Sequence, residues 1–161
     1  MTRSTQIVLA SVGGGCLLLL CAGAFGALFF GGMVSAIAVP NFVSMQLKAK
    51  RAEAPGNVSA IATMEYSYDA AFDAFLPVGS RAEATRYARA QGAEAGEGDW
   101  SGPWQTLGWR PEGPTRCGYW VEVREGRFEA HGVCDVDGDG VLAEYVRSSD
   151  GVAAWEDPDE Y

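Results

Sequence analysis

The fold is read from the stretch Cys117-Gly118-Tyr119-Trp120-Val121-Glu122-Val123-Arg124-Glu125-Gly126-Arg127-Phe128-Glu129-Ala130-His131-Gly132-Val133-Cys134. Tyr119, Val121 and Val123 alternate with Trp120, Glu122 and Arg124; beyond Glu125-Gly126, Phe128 and Ala130 alternate with Arg127, Glu129 and His131. Period-two alternation on both sides of a glycine-bearing dipeptide predicts a two-stranded antiparallel hairpin. A two-residue turn sets Arg124 opposite Arg127, and counting outward sets Cys117 opposite Cys134. The cysteines then form a non-hydrogen-bonded pair, where cross-strand side chains come closest. They share a face with Tyr119, Val121, Val123, Phe128 and Ala130. Two readings follow: a Cys117–Cys134 disulfide in an oxidising compartment, or two reduced thiols buried in a cytosolic core. The disulfide is the expectation, and it puts this part of the chain outside the cytosol. Zinc is not expected, because the only histidine, His131, points to the opposite face.

Outward from the hairpin, charge is segregated. Residues 1–51 carry Arg3, Lys48, Lys50 and Arg51 and no acid, a charge of +4; residues 52–161 hold the other 8 arginines and all 21 acids, a charge of −13, together the net −9. So acidic a soluble part argues against nucleic acid as a partner, since that affinity rests on neutralising phosphates. One histidine and no lysine after Lys50 leave few groups for acid–base or covalent chemistry, and no nucleophile–base pair can be named. An enzyme is not expected.

No charged residue lies between Arg3 and Lys48. Ile7–Val39, as a helix of about 33 residues, would run roughly 50 Å against a hydrocarbon core of roughly 30 Å. Residues 1–15 read as a leader or early helix segment and residues 16–39 as a transmembrane helix; simple secretion and a lipoprotein cleaved at Gly15-Cys16 are the competing readings. Gly23, Ala27, Gly31 and Ser35 recur every fourth residue and line up as a ridge of small residues. Such a ridge is either the ordinary composition of a membrane helix or a surface for packing against like helices.

Residues 40–76 read as an amphipathic continuation. Val58, Ile61, Met64 or Glu65, Tyr68, Phe72 and Phe75 fall at spacings of three and four, and Pro40 and Pro55 should each interrupt the hydrogen-bond ladder. Residues 77–161 read as a globular head. Arg81–Gln91 predicts a short helix, Gly92–Pro103 a loop, Val141 to Tyr145 a further strand and Ser148–Tyr161 an acidic, mobile tail. Trp100 and Trp104 either pin that loop or bind a ligand or another subunit. The fold class expected from these parts is α+β. A long N-terminal helix, half membrane-inserted and half amphipathic, would pack on a small antiparallel sheet.

Ala36-Ile37-Ala38-Val39-Pro40-Asn41-Phe42, with Gln46-Leu47-Lys48-Ala49-Lys50-Arg51-Ala52-Glu53-Ala54 and Asn57-Val58-Ser59-Ala60-Ile61, resembles the N-terminal helix of type IV pilins, particularly the bacterial fimbrial-protein branch. The likeness is specific over roughly Val34–Tyr68 and looser through the hairpin to Gly140, about two-thirds of the chain. It implies a pilin-like subunit with a protruding helix and a globular head. Such a subunit is drawn from the inner membrane into a filament by helix packing through Gly23, Ala27, Gly31, Ser35, Pro40 and Phe42. The chain departs from that pattern where prepilin processing and methylation act. Gly15-Cys16 is the nearest cleavage point, and Gly23 stands where such pilins carry a glutamate.

Asp135-Val136-Asp137-Gly138-Asp139-Gly140 sets three carboxylates at alternate positions before a glycine, the opening of a calcium loop. The closing acid of an EF-hand would fall at Val146, so Glu144 or Asp150 would have to substitute; the competing reading is a solvated acidic turn. No cofactor other than calcium is suggested. The leading functional expectation is a structural subunit of a type IV pilus or type II secretion pseudopilus. Its partners would be other pilin or pseudopilin subunits and the inner membrane, with a single-pass anchor and the head in the periplasm or on a surface filament. The alternative is a membrane-anchored extracytoplasmic module that binds a ligand or calcium and stays out of filaments.

Overall fold

A computed structural model describes residues 41–161 of the chain, residue 93 excepted. Strands β1, Gly118–Arg124, and β2, Arg127–Cys134, pair antiparallel with Arg124 opposite Arg127 and Gly118 opposite Val133. Glu125 (φ 53°) and Gly126 (φ 71°) both take positive φ. That is the type I′ geometry, whose twist matches the flanking strands. Strand β3, Ala143–Ser148, adds to β2, and β4, Ala153–Trp155, adds to β3, giving a four-stranded antiparallel sheet in the order β1-β2-β3-β4. Val78 covers the free edge of β1 through two main-chain bonds with Val121.

Helix α1, Glu53–Phe72, crosses one face of the sheet, burying Ala54, Val58, Ile61, Ala62 and Glu65. These fall on one side of a 3.6-residue helix, and burying Val58 and Ile61 is worth about 1.5–3 kcal/mol each. Pro55 is third in the helix, where its missing N–H removes nothing the helix needs. Asp73 in the left-handed conformation ends it, its N–H bonding Asp69 O at 2.8 Å. Helix α2, Arg81–Gln91, lies on the other face. Ser80 caps it, accepting from the Glu83 N–H at 3.3 Å, and Gly92 closes it. Its Ala84 and Ala88 pack on Trp120 and Val133. Helix α3, Pro103–Leu107, buries Trp104 and Leu107 against the α1 side of the core.

Two glycines set how closely the helices approach. A Cβ at Gly132 would lie 2.9 Å from Val58 Cγ2 on the α1 face; one at Gly118 would lie 2.2 Å from the Ala84 carbonyl oxygen on the α2 face. Only a bare backbone fits at Gly118, against the Ala84 main chain, whereas at Gly132 the neighbours are side chains.

The expected architecture needs correction. Among the described residues no helix is long and apolar enough to cross a membrane, and the helices sit on both faces of a four-stranded sheet. The helical residues 41–51 and α1 are separated at Ala52, and residues 53–72 carry Glu53, Glu65 and Asp69. The expected span at residues 16–39 and the leader lie outside the described residues. The structure differs from the sequence reading in three further ways. Trp120, Glu122 and His131 form a face that α2 covers in part. Phe72 is exposed while Phe75, beyond the helix end, packs edge-on against Phe128 with ring centroids 4.9 Å apart. Residues 148–161 are not a loose tail. They contain β4 and fold back on Arg51, whose guanidinium stacks over Trp155 (4.3 Å) and Tyr161 (5.0 Å) and donates to the carbonyls of Pro158 and Glu160. A three-residue strand has too few positions to show alternation, and the aromatic anchors bind a cation far away in the chain.

Candidate functional site

Cys117 and Cys134 are joined in a disulfide with Cα atoms 4.3 Å apart, at the non-hydrogen-bonded pair beyond the end of the β1–β2 ladder. Both are fully buried. The bridge is tied to α1 by Glu53. One carboxylate oxygen accepts from the main-chain N–H groups of Arg116 (2.6 Å) and Cys117 (2.8 Å), and the other faces the Arg116 guanidinium at 3.6 Å. Asn57, one turn along α1, donates to the Tyr119 hydroxyl at 2.8 Å. Burial, with the Glu53 charge beside it, pushes the Tyr119 phenol far up, so it stays neutral. Disulfide, carboxylate and phenol thus lock the start of α1 to the outer end of β1.

Across the sheet, His131 stacks on Trp120 with ring centroids 4.4 Å apart and planes 6° from parallel. Its Nδ1 meets Glu144 Oε1 at 2.9 Å, and Glu144 Oε2 accepts from Arg81 at 2.7 Å. Burial pushes the Glu144 carboxyl up, but the His131 bond and the Arg81 charge outweigh it and hold the group below the usual carboxylate range. An ionised Glu144 accepts, so Nδ1 carries the proton. His131 Nε2 is buried without a hydrogen-bond partner, and the nearest acid, Glu129, is 3.9 Å away. The arrangement orients the ring and joins α2, β2 and β3; among the described residues no hydroxyl, thiol or amine is bonded to it as a nucleophile.

The acidic loop follows β2. Asp135, Asp137 and Asp139 each offer an oxygen, all within 4.8 Å of one another, with Asp135 buried and the other two exposed. The loop's own amides hold them: Gly140 N–H on Asp135 (3.4 Å), Asp139 N–H on Asp137 (3.4 Å) and Val141 N–H on Asp139 (2.7 Å). These hard oxygens suit Ca²⁺ in kind, but one from each residue falls short of the roughly six to eight that the ion takes. Glu144 is not available to complete the set, being engaged by His131 and Arg81, and Asp150 is held by Ser148 in the β3–β4 turn.

Trp104 and Trp109 are buried, and Trp100 meets both edge-on at 5.5 and 5.4 Å, which pins the loop to the core. Outside them a cleft of about 610 Å³ remains between Trp100, Trp104, Tyr87 and Tyr119. Glu83 and Asp99 stand in its lining. The Ser101 side chain and amide hold the Asp99 carboxyl below its usual range.

Of the expected assembly residues, Phe42 is described and is 62% exposed; Gly23, Ala27, Gly31, Ser35 and Pro40 lie outside the described residues. The sequence reading left the inward position open between Met64 and Glu65, which the structure gives to Glu65, and missed the roles of Glu53, Arg51 and the Arg81–Glu144–His131 chain. The alanine-rich run Arg81–Gln91 placed Arg81 at the start of a helix, but nothing in the spacing pairs it with Glu144 or His131. No family model, curated protein or solved structure matches this chain.

Proposed function

We propose that this protein is a structural subunit that assembles into, primes or decorates a type IV pilus or the related type II secretion pseudopilus. It is held at the inner membrane with its head in the periplasm and is carried from there into a filament. The observation that carries this reading is an uncovered apolar helix surface. Phe42 is 62% and Met45 71% exposed on the helical residues 41–51, at the end of a run without a charged residue from Ser4 to Leu47. Large exposed side chains continuing an uncharged run call for a partner, and helices of like subunits are the partner the pilin resemblance supplies. The buried Cys117–Cys134 disulfide supports an oxidising compartment. Glu53 ties the start of α1 to Arg116 and Cys117, and Arg51 ties it to the last residues of the chain.

The test places a photo-crosslinking residue at position 42 or 45 in the producing cells and shears the surface filaments. Expected are crosslinks to other copies or to pilin subunits in the sheared fraction, with more protein incorporated on Gly23→Glu. Crosslinks confined to the membrane fraction, with sheared filaments free of the protein, would refute the proposal.

A further inference from the structure

We propose that the cleft between α2, α3 and β1 is a binding site for an organic cation, a ligand bearing an alkylated ammonium group. Four rings form its walls and are fixed before any ligand arrives. The Tyr87 hydroxyl is anchored on the carbonyls of Gly96 (2.6 Å) and Thr115 (3.1 Å). Trp100 stands edge-on to Tyr87 at 6.1 Å and to Trp104 at 5.5 Å, and Tyr119 is fixed by Asn57. Glycines let the walls close up behind the rings: a Cβ at Gly98 would lie 2.6 Å from the Trp100 ring, and one at Gly79 would lie 3.2 Å from the Tyr119 carbonyl oxygen.

The chemistry of the lining has one sign. Its charged members are Glu83 and Asp99, and no lysine, arginine or histidine joins them. Each carboxylate caps a local turn, Glu83 with Ser80 and Asp99 with Ser101, and neither forms an ion pair among the described residues. Aromatic faces attract a cation through their quadrupoles, most strongly where water is excluded. Two carboxylates without an ion-pair partner add a long-range attraction, and residues 52–161 as a whole carry −13. An anion meets repulsion here, and a neutral apolar guest gains nothing from the acids. The volume of about 610 Å³ fits a small molecule. The site stands whether or not the chain enters filaments.

The experiment is calorimetric titration of the full-length protein, in nonionic detergent, with choline and with its uncharged isostere 3,3-dimethylbutan-1-ol. Expected is saturable choline binding with a Kd of about 1 mM or tighter and affinity at least about tenfold lower for the alcohol. Glu83→Gln with Asp99→Asn should weaken choline about fivefold or more and flatten its salt dependence. Trp100→Leu should abolish binding while thermal unfolding stays cooperative. Equal affinity for the two probes, no binding of either, or choline binding untouched by both sets of substitutions would overturn the proposal. The carboxylate variants alter exposed side chains and decide the matter even if Trp100→Leu fails to fold.

Discussion

Glu65→Gln should change how the stability of this protein depends on pH. Glu65 is 0% exposed on the inner face of α1. One of its oxygens accepts from the Leu76 N–H at 2.9 Å, tying down the chain that leaves the helix, and the other has no hydrogen-bond partner. Burial raises its pKa from 4.5 to about 7, only partly opposed by the Leu76 bond. Below pH 4.5 the carboxyl is neutral in both states and folding is indifferent to it. As pH rises from 4.5 to about 7, the unfolded chain releases the proton while the fold retains it, so stability falls; above about 7 the loss is complete. The displacement corresponds to about 3 kcal/mol, a large share of the roughly 5–15 kcal/mol that holds a domain of this size together. Glutamine keeps the acceptor for Leu76 and cannot ionise. Urea unfolding of wild type and variant from pH 4.5 to 8.5 isolates the effect, because every other titrating group cancels in the difference. The variant should gain about 2–3 kcal/mol relative to wild type between pH 5 and pH 8. A difference that is constant across that range, or that moves in favour of wild type, would refute the assignment of a buried carboxyl whose ionisation burial opposes.

Three further outcomes are expected. Replacing Cys117 and Cys134 by alanine opens a loop with a sequence separation of 17; stability should drop by about 3 kcal/mol and Tm by about 10 °C, read by calorimetry. Gly118→Ala should cost more than Gly132→Ala, because the new methyl meets Ala84 backbone at 2.2 Å in the first case and the movable Val58 methyl at 2.9 Å in the second. The measure is the denaturation midpoint, with about 1–3 kcal/mol expected at Gly118. Arg51→Gln removes the cation stacked on Trp155 and Tyr161, so amide exchange in residues 155–161 should accelerate while the β1–β2 hairpin stays protected; unchanged protection there would contradict the clasp.

The hairpin was legible because its determinants are local. Alternation from Tyr119 to Ala130 and a glycine turn at Gly126 leave one register that keeps the apolar face intact, and that register brings Cys117 to Cys134. The span of α2 was legible for the same reason: Ala82, Ala84, Ala88 and Ala90 favour a helix over Arg81–Gln91, and the loop begins at Gly92; the Ser80 cap was found only in the structure. The acidic loop was visible as a cluster, but Glu144, suggested as its completing ligand, turns to His131 and Arg81 on a neighbouring strand and helix. Sequence spacing shows where acids lie along the chain and carries nothing about which cation folds up beside them.

Charge segregation, the uncharged run from Ser4 to Leu47 and the cystine-bearing hairpin are properties that the amino-acid sequence determined by itself, because each depends on neighbours a few residues apart. Tertiary structure alone decided that α2 covers the Trp120 face, that Glu65 is enclosed, that Trp100 and Trp104 border a cleft, and that the last residues close on Arg51, 109 positions from Glu160. Those outcomes depend on which surfaces meet after loop closure, where burial and charge pairing between distant residues outweigh local preference.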